Sequence, residues 1–174
     1  MDSTYEDMIR FHGHSCPGLA IGYRMTGAGL DFIKQTRAED EEIVAIVENN
    51  ACGVDALQFI SGCTFGKGNF IFKDHGKHVY TFYDRKSRKG VRVVFNPQNL
   101  PEDIREDRDK LIEWILNAPE ADVVSITEVM INEPEPARIM KSEICEACGE
   151  AVMETRTRKV DGKLVCIPCA ERYS

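Results

Sequence analysis

Apolar and polar residues change their period several times along the chain, and each change predicts an element. Pro17 suits a first helical position, and the apolar positions of 19–33, with Leu30, Phe32 and Ile33 as later anchors, predict a helix behind it. Ile43-Val44-Ala45-Ile46-Val47 is a continuous, largely β-branched run and predicts a buried strand. Residues 50–62 predict a short helix stopped at Ser61-Gly62, and 79–83 and 91–95 predict two strands joined by a charged turn, 84–90. Pro101 opens an acidic-headed helix to Leu116, with Ile104, Leu111 and Ile115 on one stripe, and 123–131 supplies a last strand. Hairpins outnumber parallel crossovers in this order, so the expected core is α+β with a mixed or antiparallel sheet and helices.

The pattern breaks at Asn132-Glu-Pro-Glu-Pro136, where two prolines suit neither a helix nor a central strand. A boundary there gives a core of residues 1–135 and a small second domain, 142–174. Four of the seven cysteines fall in the second part. An odd count prevents complete pairing within one chain, and a chain of 174 residues builds a core without disulfides. The expected location is the cytosol, since the start MDSTYEDMIR lacks the order of a signal peptide and no apolar run approaches the roughly 20 residues of a membrane span. Lys and Arg number 22 against 29 Asp and Glu, so a general phosphate-backbone binder has no electrostatic support.

Cys145-Glu-Ala-Cys148 and Cys166-Ile-Pro-Cys169 are C-x-x-C pairs 17 residues apart (149–165), a spacing that predicts one structural Zn(2+) on four thiolates. Residues 152–159 and 163–165 are expected to form a hairpin around Asp161-Gly162, and the last pair to open a helix, 170–173, which together outline a treble clef. All four ligands come from protein, so the finger stabilises or docks a protein partner rather than performing chemistry. Residues 143–174 carry Arg156, Arg158, Lys159, Lys163 and Arg172 against six acids, a balance that does not favour nucleic acid.

The other cysteines lie in the core. His12, His14 and Cys16 alternate ahead of a predicted helix and, in an extended segment, would share one side. Cys16 and Cys52 both stand at predicted helix starts, where the positive dipole end favours thiolate. If the segments meet, His14, Cys16, Cys52 and Cys63 offer a second transition metal an open site, or Cys16 and Cys52 act as thiolates with Asp55 as orienter or base. The alternative is that the histidines hydrogen-bond the loop and the thiols are small buried hydrophobes. Lys67, in the glycine-rich 62–68, is a candidate to neutralise an anionic ligand, against a solvated lysine on a turn. Gly18, Gly22 and Thr26 make a small-residue stripe that suits close helix packing, and His75 and His78 are expected outside any site.

Phe11-His-Gly-His-Ser-Cys-Pro-Gly-Leu-Ala-Ile-Gly-Tyr-Arg24, Val47-Glu-Asn-Asn-Ala-Cys-Gly-Val-Asp-Ala-Leu-Gln58 and Gly62-Cys-Thr-Phe-Gly-Lys-Gly-Asn69 together resemble the FmdE family of formylmethanofuran dehydrogenase components. The resemblance implies an α+β core laid out like the C-terminal domain of glyceraldehyde-3-phosphate dehydrogenases, a homodimer, and an accessory treble-clef finger. It maps the family's motif residues onto His14, Cys16, Cys52, Asp55 and Cys63, with His12 beside them. It implies a link to one-carbon or redox metabolism as a component associated with an oxidoreductase, while the molybdenum or tungsten chemistry resides on other components. The rival expectation is a non-catalytic dimeric assembly or docking module.

Overall fold

The computed structural model describes residues 5–172; Tyr173, expected in the last helix, lies outside them. The chain divides into two compact units, Met1–Ala137 and Arg138–Ser174. No helix among the described residues is long and apolar enough to cross a membrane.

The first unit is built on helix α2 (Pro17–Ile33) and a five-stranded sheet. Strands β1 (Ile43–Val47), β2 (Phe70–Phe72), β3 (Val79–Asp84), β4 (Lys89–Phe95) and β5 (Val124–Val129) stand in the order β2-β1-β3-β4-β5. Only β1 and β2 run parallel, connected through helix α3 (Gly53–Ser61); the other neighbours are antiparallel. The register sets Ala45 opposite Phe82, Val47 opposite Tyr80, and Val91 and Val93 opposite Phe82 and Tyr80, so these side chains share one face. All six belong to the same core cluster as Met25, Leu57 and Ile115. Each large side chain fully buried there contributes roughly 1.5–3 kcal/mol.

Helix α2 approaches its neighbours closely because its stripe is glycine. A Cβ on Gly29 would lie 2.4 Å from the Phe82 ring, and one on Gly22 would lie 2.2 Å from the carbonyl oxygen of Gly53. The expected close-packing stripe is therefore the contact between α2 and α3, although Thr26 leaves its buried hydroxyl without a hydrogen-bond partner among the described residues. Arg24 fixes the far side, donating to the carbonyls of Ile115, Leu116 and Ala118 at the end of helix α4 (Arg108–Asn117).

Several expectations change. Helix α1 (Tyr5–His12) takes in His12, so 12–16 is not an extended segment; Tyr5, Met8 and Ile9 pack it against Leu19 and Ala56. Strand β2 is a three-residue apolar run too short to carry a period of its own. The helix expected from Pro101 starts late: 97–99 and 102–104 are 3-10 turns, and Asp107 caps α4 by accepting the Lys110 N–H at 3.2 Å. A short helix α5 (Glu120–Val123) precedes β5.

In the second unit, β6 (Ser142–Ile144) pairs with β7 (Ala151–Met153), β8 (Thr157–Val160) with β9 (Lys163–Cys166), and α6 (Ile167–Glu171) follows. The strand expected over 152–159 is interrupted by a 3-10 turn, Glu154–Arg156, so its two halves serve two hairpins. Asp161 and Gly162 hold φ of 49° and 79°, the paired positive values a two-residue hairpin turn needs.

Candidate metal centres

In the second unit, the sulfurs of Cys145, Cys148, Cys166 and Cys169 lie within 4.8 Å of one another, with Cys148 and Cys166 at 3.9 Å. Sulfurs about 2.3 Å from one tetrahedral zinc stand about 3.8 Å apart, so the cluster fits the ion. The Cys166 N–H, donating at 3.3 Å, and that of Cys148 hold the Cys145 thiol down to about 6. Cys169 is pushed up to about 12, first by its hydrogen bond with Cys166 and then by burial. Four crowded sulfurs cannot all shed their protons unless a dication shares them, which is what zinc supplies.

The first unit assembles its cluster from two helix starts and one helix end. Gly13, at φ 99°, stops α1 by donating its N–H to the Ile9 carbonyl at 2.7 Å. The following loop is pinned at Ser15, whose hydroxyl meets Tyr5 at 3.3 Å and whose carbonyl accepts from Arg108. Cys16 then caps α2, its sulfur accepting the Leu19 N–H at 3.3 Å. From the end of α1, His12 reaches both ways: Nδ1 to Asp55 Oδ2 at 2.7 Å, and Nε2 to Cys16 Sγ at 3.9 Å. The rings of His12 and His14 stand 4.6 Å apart, and the donor atoms of His12, His14 and Cys16 lie within 4.8 Å of one another.

Nitrogen and sulfur on one tetrahedral transition metal, at about 2.0–2.1 and 2.3 Å, stand about 3.6 Å apart. The His12 and Cys16 pair is therefore close to ligand spacing, and Asp55 holds the imidazole proton on Nδ1 so that Nε2 keeps its lone pair. Cys52 stands beside this trio, hydrogen-bonded to Cys16. Burial first, then Cys16, push the Cys52 thiol up, against the lowering expected at a helix start. Its backbone is already helical, φ −48° and ψ −32°, and its side chain makes no capping bond.

Two expected members stand elsewhere. Cys63 is fully buried, donates to the Ile43 carbonyl at 3.4 Å and is pushed up to about 11 by burial, so it is a neutral core thiol and not a ligand with His14, Cys16 and Cys52. Lys67 donates to the carbonyls of Ala38 and Glu39 at 3.4 and 3.2 Å, which ties down its loop, and it is not among the residues lining the cleft at Cys52. His75 meets Glu48 at 3.2 Å and His78 packs on Phe95, neither near the cluster.

Sequence reasoning missed Tyr80. Its buried hydroxyl has no hydrogen-bond partner among the described residues, and a Cβ on Gly53 would lie 2.6 Å from it. Burial, then the negative charge of Asp55, push the phenol well above its ordinary value. The signal available was a tyrosine on the inward register of a fully buried strand. A cleft of about 430 Å³ opens beside the cluster, lined by His12, Cys52 and Asp55 and walled by Phe65, Phe70 and Phe72.

Residues 11–125 match a family described as FmdE, Molybdenum formylmethanofuran dehydrogenase operon, and residues 141–174 match the Prokaryotic dksA/traR C4-type zinc finger. A "Probable S-adenosyl-L-methionine-binding protein" of Archaeoglobus fulgidus is 34% identical over 192 residues, covering 94% of this chain and 51% of the relative. The chain thus spans about half the length of that curated relative. The crystal structure of a tungsten formylmethanofuran dehydrogenase FmdE-like protein from Syntrophus aciditrophicus shares the fold at a TM-score of 0.70 and 23% identity, covering 97% of this chain and 92% of the other.

Proposed function

The chain belongs to the FmdE family and carries a C4 zinc finger behind that domain, and from this premise we propose that its core binds a second metal in one-carbon or redox metabolism. The ligands are His12 Nε2, His14 and Cys16. One observation carries this: Asp55, His12 and Cys16 stand in line at 2.7 and 3.9 Å, with Asp55 fixing which imidazole nitrogen faces the thiol. The link to one-carbon chemistry is supported by the family's description alone.

A transition metal in that position supplies a Lewis acid that polarises a carbonyl or acidifies water. The chain's own groups do the rest. Asp55 keeps the proton on His12 Nδ1, Cys52 stands beside Cys16, and Phe65, Phe70 and Phe72 give the cleft an apolar wall. Lys67, tied to its loop, has no part in it. On the family resemblance we also propose a homodimer and a protein partner for the finger.

Metal analysis of anaerobically purified full-length chain tests the core site. Two metals per chain are expected, falling to one in Cys16→Ser with the finger intact. One metal in both proteins would leave the core as a buried-thiol assembly module.

A further inference from the structure

We propose that Cys16 and Cys52 form a dithiol switch: joined by thiol–disulfide exchange they close the core site to metal, and reduction reopens it; this rests on His12, His14 and Cys16 being the metal ligands.

The seven cysteines divide by what already holds them. Cys145, Cys148, Cys166 and Cys169 make up the finger's cluster, and Cys63 is fully buried with its thiol on the Ile43 carbonyl. Cys16 and Cys52 remain, at the starts of α2 and α3 and hydrogen-bonded to each other. Glycine keeps the space beside them clear. A Cβ on Gly18 would lie 3.1 Å from Cys52 Cβ and 3.9 Å from Cys16 Sγ, and the bare backbone leaves that space to the two thiols. The helices that carry them are already in backbone contact where Gly22 meets Gly53. A disulfide there fastens elements that the fold has brought together, by rotation of side chains rather than movement of helices.

Access sets the order of events. Cys52 lines the open cleft, whereas Cys16 is outside that lining and only 7% exposed. A small uncharged disulfide entering the cleft therefore meets Cys52 first. The Cys52 sulfur attacks one sulfur of the reagent: a mixed S–S bond forms, the reagent's own S–S bond breaks, and one thiol leaves with the proton from Cys52. Cys16, giving up its metal, then attacks the Cys52 sulfur. The mixed bond breaks, and the second thiolate leaves and takes a proton from solvent. The protein dithiol is oxidised by two electrons and the small disulfide is reduced to two thiols. Joined to Cys52, the Cys16 sulfur no longer has the thiolate charge that binds a metal, and His12 and His14 are left without it.

The test uses the full-length, metal-loaded chain, equilibrated anaerobically in hydroxyethyl disulfide and mercaptoethanol at rising ratio. Alkylation, digestion and peptide mass spectrometry identify the linked cysteines, and metal is counted after desalting. A Cys16–Cys52 cross-link is expected, with Cys63 and the finger cysteines unlinked. Metal is expected to fall from two per chain to one, and to return to two on reduction and resupply. Cys52→Ser is expected to keep both metals at every ratio. A mixed disulfide that stays on Cys52 without passing to Cys16, a cross-link that leaves both metals bound, or equal metal loss from Cys52→Ser overturns the switch. Two metals with no cross-link at any ratio overturns it too, while leaving the core ligand set in place. A chain holding one metal from the outset defeats the core metal instead, and the cross-link then decides the redox pair by itself.

Discussion

Asp55 and His12, 43 residues apart in sequence, meet at 2.7 Å and make the end of α1 and the first turn of α3 into one structural unit. The carboxylate fixes the imidazole tautomer and aims Nε2 at Cys16. Asp55→Asn removes the charge while keeping the shape. Core metal affinity is expected to fall about 10- to 100-fold with the finger's zinc unchanged, measured by competition with a chromophoric chelator. A variant that keeps native affinity would show that Asp55 has no orienting role.

The crossing of α2 and α3 leaves no room for a methyl group. Gly22→Ala would bring a Cβ to within 2.2 Å of the Gly53 carbonyl oxygen, with backbone on both sides and no flexible side chain to yield. Destabilisation of about 1–3 kcal/mol is expected in denaturant unfolding, together with loss of the core cluster, whose Cys16 and Cys52 stand at the two helix starts. Gly27→Ala on the same helix, where a Cβ meets nothing within 4 Å, serves as the control.

The finger and the core depend on metal differently. The second unit buries little besides Cys145, Val165, Cys166 and Cys169, so chelation is expected to unfold β6 to α6 while the amide signals of β1, β3 and β4 persist. Two-dimensional NMR before and after chelator separates the cases. Survival of the hairpin signals without zinc would contradict the ligand assignment.

Asp84 sets an acid limit. Burial raises its carboxyl, but hydrogen bonds from the Ser87 hydroxyl, the Lys86 and Ser87 N–H groups and Gln35 outweigh it and hold the carboxyl below the usual range. A depressed folded pKa contributes stability above the unfolded value of about 3.9, and that contribution is lost as pH falls through the folded value. Asp84→Asn is therefore expected to cost roughly 1–3 kcal/mol at neutral pH, with the gap from native protein closing in strong acid. A gap that widened on acidification would reverse the sign.

What was legible in the sequence followed from locality. The finger's ligands lie in two four-residue motifs, and α2, β1, β3 and β4 carry their period within one window. Helix α1 is obscured because the alternation of His12, His14 and Cys16 suggests an extended segment, although Tyr5, Met8 and Ile9 already stand at helical spacing. The trio still converges, through a helix end, a glycine turn and a cap. Cys63 and Lys67 could not be placed in advance, because their roles depend on the carbonyls of Ile43, Ala38 and Glu39, which only the folded chain brings within reach.

The core metal site is tested most directly by an anomalous-difference map at the edge of the bound metal, from crystals of the full chain grown without chelator. Two peaks per chain are expected, one among the four finger sulfurs and one among His12 Nε2, His14 and Cys16 Sγ. A single peak at the finger, with Cys16 and His12 in full occupancy and no density between them, would contradict it.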